Sequence, residues 1–416
     1  MKAKCDLLMH VLLLNQFFWP DSATTGCLLE DVARELVSRG CTVSVVCGSG
    51  TYVATDRLEA CPPVQIYRMP RIPYSRHPVG RVLSWVTFLI WATVRSLLLP
   101  RTDLAIALTS PPGLSAAGWL LKKLRGTRFW SWEMDVYPDV AIGVGTMRKD
   151  AVLTRILASA LNFPRHAADG VIALGSCMKQ RIVDQGANAE RVFVAENWSD
   201  GRSIVPAPFP TQTPLIIQYS GNLGLAHEFQ TISSAMLELR DSEQFRFEFI
   251  GSGARRQELG DFVSTNGLSS VRFRQYAPKS SVGDNLSTCH LGLVTLRPEC
   301  LGTVVPSKVY AILAAGRPIL FIGPASSTPA ELIREHACGW HIESGDAAGA
   351  VSLLRHLAAQ PELVIEAGRR ARRLFELFYD TPKGAARVAD LLVGPRFIPA
   401  AENEQDVDRR LVAARP

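Results

Sequence analysis

The sequence has no Cys-x-x-Cys pair and no Cys/His cluster at zinc spacing, although nine cysteines are scattered at positions 5, 27, 41, 47, 61, 177, 289, 300 and 338. That excludes a zinc module and points to buried, reduced thiols in a cytoplasmic protein rather than a disulfide frame. Charged residues are scarce, at 20% against 47% hydrophobic, which excludes a disordered chain. No aromatic-and-basic platform or nucleic-acid-binding signature accompanies the net charge of +6, so no nucleic-acid partner is expected. Acidic residues are missing altogether between Arg68 and Arg101, where Arg71, Arg76, Arg81 and Arg95 also lie. Within that stretch VLSWVTFLIWATVRSLLLP, residues 82–100, is almost wholly apolar with Trp85 and Trp91. A core helix flanked by solvated arginines and a helix resting on an anionic membrane face are the two main readings, a true span the third.

What is present in quantity is α/β rhythm. At 416 residues two domains are the natural expectation. The start, MKAKCDLLMHVLLLNQFF, has two lysines before an apolar run. Asp6, His10 and Asn15 interrupt or bound that run and no small-x-small site follows, so a strand over 7–14 is expected rather than a signal peptide. A polar loop, a helix with Leu28, Leu29, Val32, Ala33, Leu36 and Val37 on one face, and a strand over 42–47 complete a β-loop-α-β unit, which implies a parallel sheet. Further strands are expected over 104–108, 127–132, 170–174 and 192–195. The segment 201–214 holds four prolines and no periodicity, as an interdomain linker would. The rhythm then restarts with LIIQYSGN, FRFEFIGSG, LGLVTL and PILFIGP as strands. The expected organisation is an N-terminal domain over 1–200, the linker, a C-terminal domain over 215–385, and a terminal segment over 386–416, frayed from Pro399. Ligands of open α/β sheets bind outside the carboxyl ends of the strands, so the cleft between two such domains is the expected site.

Three loops there carry small residues before helices: PDSATTG ending in Gly26, YSGNLGLAHEF with Gly221 and Gly224, and VVPSKVYAILAAGRP with Ser307 and Lys308. In the last, Val309, Ile312, Leu313 and Gly316 share a helical face, which puts Lys308 in the first turn, where the helix dipole disfavours a cation. A bound diphosphate would reverse that preference, since a charge-assisted hydrogen bond contributes about 1.5–3 kcal/mol. The plainer alternative is a Lys308 that points to water.

The order NQFFWPD…TTG, ELVSRGCTVSVVCG, TSPPGL, SWEMDVYPDVAIGVG, YSGNLGLAHE, FIGSG and VPSKVYAILAAGRPIL resembles family 4 glycosyltransferases of the GT-B fold, over about residues 5–385. Within these it is most similar to the L-fucosamine-transferase-like branch of O-antigen and exopolysaccharide enzymes. The resemblance implies two Rossmann-like domains with parallel sheets facing across a cleft, and retaining, metal-independent transfer from a nucleoside diphosphate sugar, UDP-linked and N-acetylated, to a polyprenyl-diphosphate-linked saccharide. It implies no cofactor. The basic apolar stretch 68–101 fits such an acceptor, whose lipid tail stays in the bilayer, so a cytoplasmic protein held at the inner face of the plasma membrane through that stretch is expected. Carried over by position, Gly26, the loop Ser220, Gly221, Asn222 and Gly224, His227, Tyr276, Ser307 and Lys308 would surround the donor. Glu133, Asp135 and Asp139 would face the acceptor, and Lys308 with Asp135 would carry the chemistry. No Asp-x-Asp pair occurs in either α/β half to suggest a metal in place of Lys308.

Two departures stand out. The family's pair of glutamates eight positions apart would fall at Thr303 and Ala311, which leaves Glu299 as a stand-in for ribose binding. Its donor-loop Arg and Lys would fall at Asn222 and His227. Two alternatives therefore stay open: a non-catalytic GT-B partner subunit of a polysaccharide assembly, and a UDP-sugar epimerase.

Overall fold

The computed structural model describes residues 9–49, 60–70, 78–210, 213–275 and 282–395. Its first half is a seven-stranded sheet of β1 (His10–Leu14), β2 (Thr42–Cys47), β3 (Gln65–Arg68), β4 (Leu104–Leu108), β5 (Arg128–Trp132), β6 (Gly170–Ala173) and β7 (Val192–Val194). All neighbours pair in parallel, in the order β3-β2-β1-β4-β5-β6-β7. The second half has β8 (Leu215–Ser220), β9 (Phe245–Ile250), β10 (Val271–Arg274), β11 (Leu291–Thr295), β12 (Ile319–Ile322) and β13 (Gly339–Ile342), ordered β10-β9-β8-β11-β12-β13 and again parallel. Strand order reverses between β1 and β4 in one sheet and between β8 and β11 in the other. Those two switch points are where loops splay apart and leave room for a ligand.

Helices cover both faces, which is why the strands read as continuous apolar runs rather than alternating ones. Val11 to Leu14 and Leu104 to Ala107 are fully buried. The first half carries α1 (Thr24–Ser38), α2 (Pro78–Leu98), α3 (Ser115–Arg125), α4 (Asp139–Gly143), α5 (Val152–His166) and α6 (Ser176–Asp184). The second carries α7 (Gln230–Glu238), α8 (Arg256–Thr265), α9 (Val282–Ser287), α10 (Lys308–Ala314), α11 (Thr328–His336), α12 (Ala347–Ala359) and α13 (Pro361–Leu374). A last helix, α14 (Thr381–Val393), returns to the first half. No described helix is long and apolar enough to cross a membrane.

The expected boundary at 385/386 needs correction, because it falls inside α14. Ala385, Val388, Ala389 and Leu392 join the N-terminal core against α1, Arg39 Nη1 meets Asp390 Oδ1 at 2.7 Å, and Arg387 meets Glu196 at 2.6 Å. Burying a side chain such as Val388 or Leu392 contributes about 1.5–3 kcal/mol, which outweighs anything the exposed ion pair adds. The linker likewise is no free tether. Fully buried Arg317 stacks on Phe209, 4.2 Å from its ring centre, and donates to the carbonyls of Pro208, Ser287 and Leu286. Five hydrogens on a planar fork let one side chain hold the strap and α9 together.

The eight described cysteines are all free. Burial raises the thiols of Cys289 and Cys338 to about 12, so both stay protonated and inert.

Candidate active site

Both sheets present their carboxyl ends to one cleft, and the chain stitches its two walls together there. Asp135 and Val304 form an antiparallel bridge, and the Val136 amide donates to the Thr303 carbonyl at 2.8 Å. Gly143 lies so close to the Glu299 carbonyl that a Cβ would sit 2.6 Å from it. Thr303, at a position where the resemblance would put a glutamate, is fully buried and donates to the Cys300 carbonyl. A carboxylate in that dry position would have no partner from the stitch, which fits the residue found.

On the C-terminal wall, β8 ends in Ser220 and the chain turns at Gly221, whose φ of 130° few other residues adopt. A Cβ at 221 would meet Lys308 Cε at 2.7 Å. The missing side chain is thus the space through which Lys308 passes. Its ammonium lies over the Tyr219 ring, 4.9 Å from the centre, and 3.1 Å from His227 Nε2. Tyr219 is held by donating to the Asn222 carbonyl at 2.6 Å, and His227 Nδ1 sits 2.8 Å from the Thr295 carbonyl. A carbonyl only accepts, so Nδ1 carries the proton and Nε2 offers its lone pair to the lysine. Desolvation, with Lys308 beside it, lowers the imidazole to about 3 and keeps it neutral. Desolvation alone brings Lys308 down to about 7. No carboxylate pairs with Lys308 among the described residues. A desolvated ammonium held by a ring face and one neutral nitrogen lacks the anion such a charge requires.

On the N-terminal wall, Thr109 Oγ1 at the end of β4 accepts from the amides of Met134 and Asp135 and so fixes the turn after β5. The Asp135 carboxylate has no hydrogen-bond or ion-pair partner among the described residues, and desolvation with Glu133 beside it raises it to about 6. The other two acidic residues of SWEMDVYPD need correction as acceptor groups. Glu133 is sealed below the cleft, 3.0 Å from buried Arg165 and accepting from Ser131 at 2.6 Å, because β5 turns it toward α5. Asp139 opens α4 and is taken by Arg181 and Gln185.

The remaining predicted positions divide. Gly26 lies in the first turn of α1, where a Cβ would press on the Phe17 backbone, so it permits α1 to start against that loop. Asn222 and Ser307 are exposed, and Ser220 and Gly224 half-buried, around the Lys308 channel. Glu299 points outward and pairs with Arg297 at 3.3 Å. Tyr276 lies outside the described residues, as does the one Asp-x-Asp of the chain, Asp406-Val407-Asp408. No His/Cys/Asp/Glu group suited to a metal occurs among the described residues. Tyr219 and Thr109 escaped the sequence reading: a strand tyrosine and a strand-end threonine look like ordinary core. Buried atoms at both switch points also lack partners, namely Asn15 Oδ1 and Gln16 Oε1 after β1 and Thr295 Oγ1 at the end of β11. Such orphans are costly unless a ligand or water satisfies them.

Residues 28–198 match the family described as a glycosyl transferase 4-like domain. A probable glycosyltransferase of Pseudomonas aeruginosa, WbjE, is 26% identical over 256 residues, 59% of this chain and 64% of the relative. A putative colanic acid biosynthesis glycosyl transferase of Escherichia coli K12, WcaI, is 26% identical over 211 residues, 47% of this chain and 51% of the relative. The chain thus aligns with between half and two thirds of these relatives' length. Among solved structures, Anabaena Alr3699/HepE in complex with UDP superposes with a TM-score of 0.66 at 13% identity, over 92% of this chain and 99% of that one. The likeness establishes a two-domain GT-B fold, as the resemblance implied.

Proposed function

We propose that the chain is a retaining glycosyltransferase of surface-polysaccharide synthesis, and the observation that carries this reading is the desolvated, anion-free ammonium of Lys308 at the C-terminal switch point. A nucleoside diphosphate supplies the missing charge. The UDP carried by the Anabaena neighbour favours UDP over GDP, and the colanic acid description of one relative favours a polysaccharide product. The donor is an N-acetylated UDP-sugar of the L-fucosamine-transferase type, and the acceptor a saccharide on a polyprenyl diphosphate. The protein works at the cytoplasmic face of the membrane, resting on it through residues 68–101, without a cofactor.

In the transfer step the acceptor hydroxyl oxygen bonds to the anomeric carbon as the bond from that carbon to the diphosphate oxygen breaks. The electron pair leaves with the diphosphate, and the hydroxyl proton passes to a diphosphate oxygen on the same face. Negative charge therefore grows beside Lys308, which the neutral His227 already holds in place, and preorganised cations of this kind contribute most where charge develops. Asp135 on the facing wall accepts from a neighbouring hydroxyl of the acceptor sugar and so orients the attacking one, whose own proton stays directed at the diphosphate. Tyr219 and the Gly221 gap fix the lysine's path.

Incubation with UDP-sugars and a polyprenyl-diphosphate saccharide, with chelator present, tests this reading. A lengthened acceptor supports it. An isomerised donor would make the chain an epimerase, and no change with UDP bound would make it a partner subunit.

A further inference from the structure

We propose that the outer faces of α2 and α5 form one docking surface for an anionic lipid bilayer at the mouth of the cleft, so that a lipid-borne acceptor enters between them. This rests on the reading of a lipid-linked acceptor and extends it to a helix outside the basic stretch 68–101.

Both helices carry an apolar stripe on the outside. In α2 Phe88, Ala92, Leu89, Trp91 and Leu97 pack on the core with Ser84 and Ser96, yet Leu83, Val86, Ile90, Val94 and Leu98 still stand exposed. In α5 the core side is Thr154, Pro164 and Arg165, while Leu153, Ile156 and Phe163 are 71%, 61% and 57% exposed. A surface helix of a water-soluble domain keeps its outer face polar. Scattered exposed leucines need no explanation, but two neighbouring apolar stripes do.

The stripes are neighbours because α2 and α5 both pack on α3, in one layer over the N-terminal sheet. They meet at the cleft edge. Gly113 follows the carboxyl end of β4, and a Cβ there would lie 3.4 Å from Leu161 of α5 and 3.8 Å from Leu89 of α2. Each helix leads into a parallel strand, β4 or β6, so each runs from the cleft edge downward. The α2 residues before Leu89 and the α5 residues before Leu161 therefore rise roughly 14–16 Å past that edge at 1.5 Å per residue. Between the raised ends the floor is the turn 110–113, one residue beyond Thr109, whose hydroxyl holds the Asp135 amide. A hydrocarbon chain lying between the two helices thus leads to the acceptor wall.

Charge selects a bilayer over a second copy. Neither helix contains an acidic residue, and Arg155 on α5 and Lys149 just before it stand exposed, while Asp150 is paired with Arg148. Arg101 lies exposed beyond the far end of α2. Two copies would bring like charges face to face, whereas anionic headgroups complement them.

Flotation of the full chain with phosphatidylglycerol and with phosphatidylcholine vesicles tests this, using paired variants Leu153→Ser/Ile156→Ser on α5 and Val86→Ser/Ile90→Ser on α2. The expected result is binding to the anionic vesicles only, weakened at least about tenfold by either pair. Wild-type-like flotation of the α5 pair overturns the proposal. So does a wild type that ignores vesicles and elutes as a dimer which the serine pairs dissociate. UDP titration of the same variants reports whether the donor half is folded. Vesicle binding without any UDP binding would sink the donor reading and leave this one standing.

Discussion

Lys308 Nζ lies 3.1 Å from His227 Nε2, and the other nitrogen of that imidazole is 2.8 Å from the Thr295 carbonyl. The carbonyl fixes the tautomer, the tautomer fixes the acceptor, and the acceptor fixes the lysine. His227, where the resemblance would put a second cation, thereby serves Lys308 instead.

This arrangement makes UDP binding depend on pH. Free Lys308 titrates at about 7, and a bound diphosphate raises that value because it favours the charged form. Below 7 the ammonium is present before binding. Above it a proton must be taken up, so affinity falls by up to about tenfold per pH unit until the bound-state value is passed. Over pH 7–9 the phosphate itself is already ionised, its second pKa being about 6, and adds no slope. Titration in buffers of different ionisation enthalpy should show proton uptake. A flat profile would mean that Lys308 is not at the phosphates.

His227→Ala should leave the fold intact and weaken UDP by roughly tenfold or more, since one hydrogen bond to a charged group contributes about 1.5–3 kcal/mol. His227→Gln, which retains an acceptor, should recover part of the loss. Equal affinities in all three proteins would reduce His227 to packing.

Gly221→Ala places a methyl 2.7 Å from Lys308 Cε on backbone with φ of 130°. The lysine must move. The expected outcome is a loss of UDP affinity of about tenfold or more, with a stability cost of about 1 kcal/mol from the strained backbone.

Glu133 and Arg165 form a pair in which both side chains are almost wholly buried. Removing one partner strands the other, at a cost of about 3–5 kcal/mol. Glu133→Ala should therefore lower the Tm sharply, whereas a role at the acceptor would spare the Tm and remove transfer. Differential scanning calorimetry separates these outcomes.

How legible this was from sequence varies with the range of the interaction. Ten of the thirteen described strands follow from apolar runs between turn residues, and β4 and β11 lie where the pattern puts them. By contrast β3, β10 and β13, half-exposed at the sheet edges, carry no such run and went unread. Lys308 was visible because a cation at a helix start contradicts the local electrostatics. Glu133 and Asp139 were misread because their partners, Arg165 and Arg181, lie 32 and 42 residues away, beyond any spacing rule. The passage of α14 to the other domain is equally invisible, since an amphipathic stripe does not name the surface it covers. Tyr219 became a site residue only when the fold put Lys308 over its ring.

Asp135 offers a second pH test. Its carboxyl is raised to about 6 from an ordinary value of 3.8, so folding favours the protonated form. Below pH 4 both states are protonated and nothing is lost, while above about 6 the ionised group carries its full burial penalty. Asp135→Asn should thus be more stable than wild type at pH 8, on the order of 1–2 kcal/mol, with the gap closing at pH 4. It should bind UDP normally and transfer slowly. A variant that transfers at the wild-type rate removes Asp135 from the acceptor site.

The central claim is that the anion missing from Lys308 is a nucleoside diphosphate. Calorimetric titration of UDP into wild type and Lys308→Ala, at pH 7 with a chelator present, addresses it directly. The expected result is metal-free binding by the wild type and a loss of at least about tenfold, or 1.4 kcal/mol, in the variant. Equal affinities, or no binding by the wild type, would contradict it.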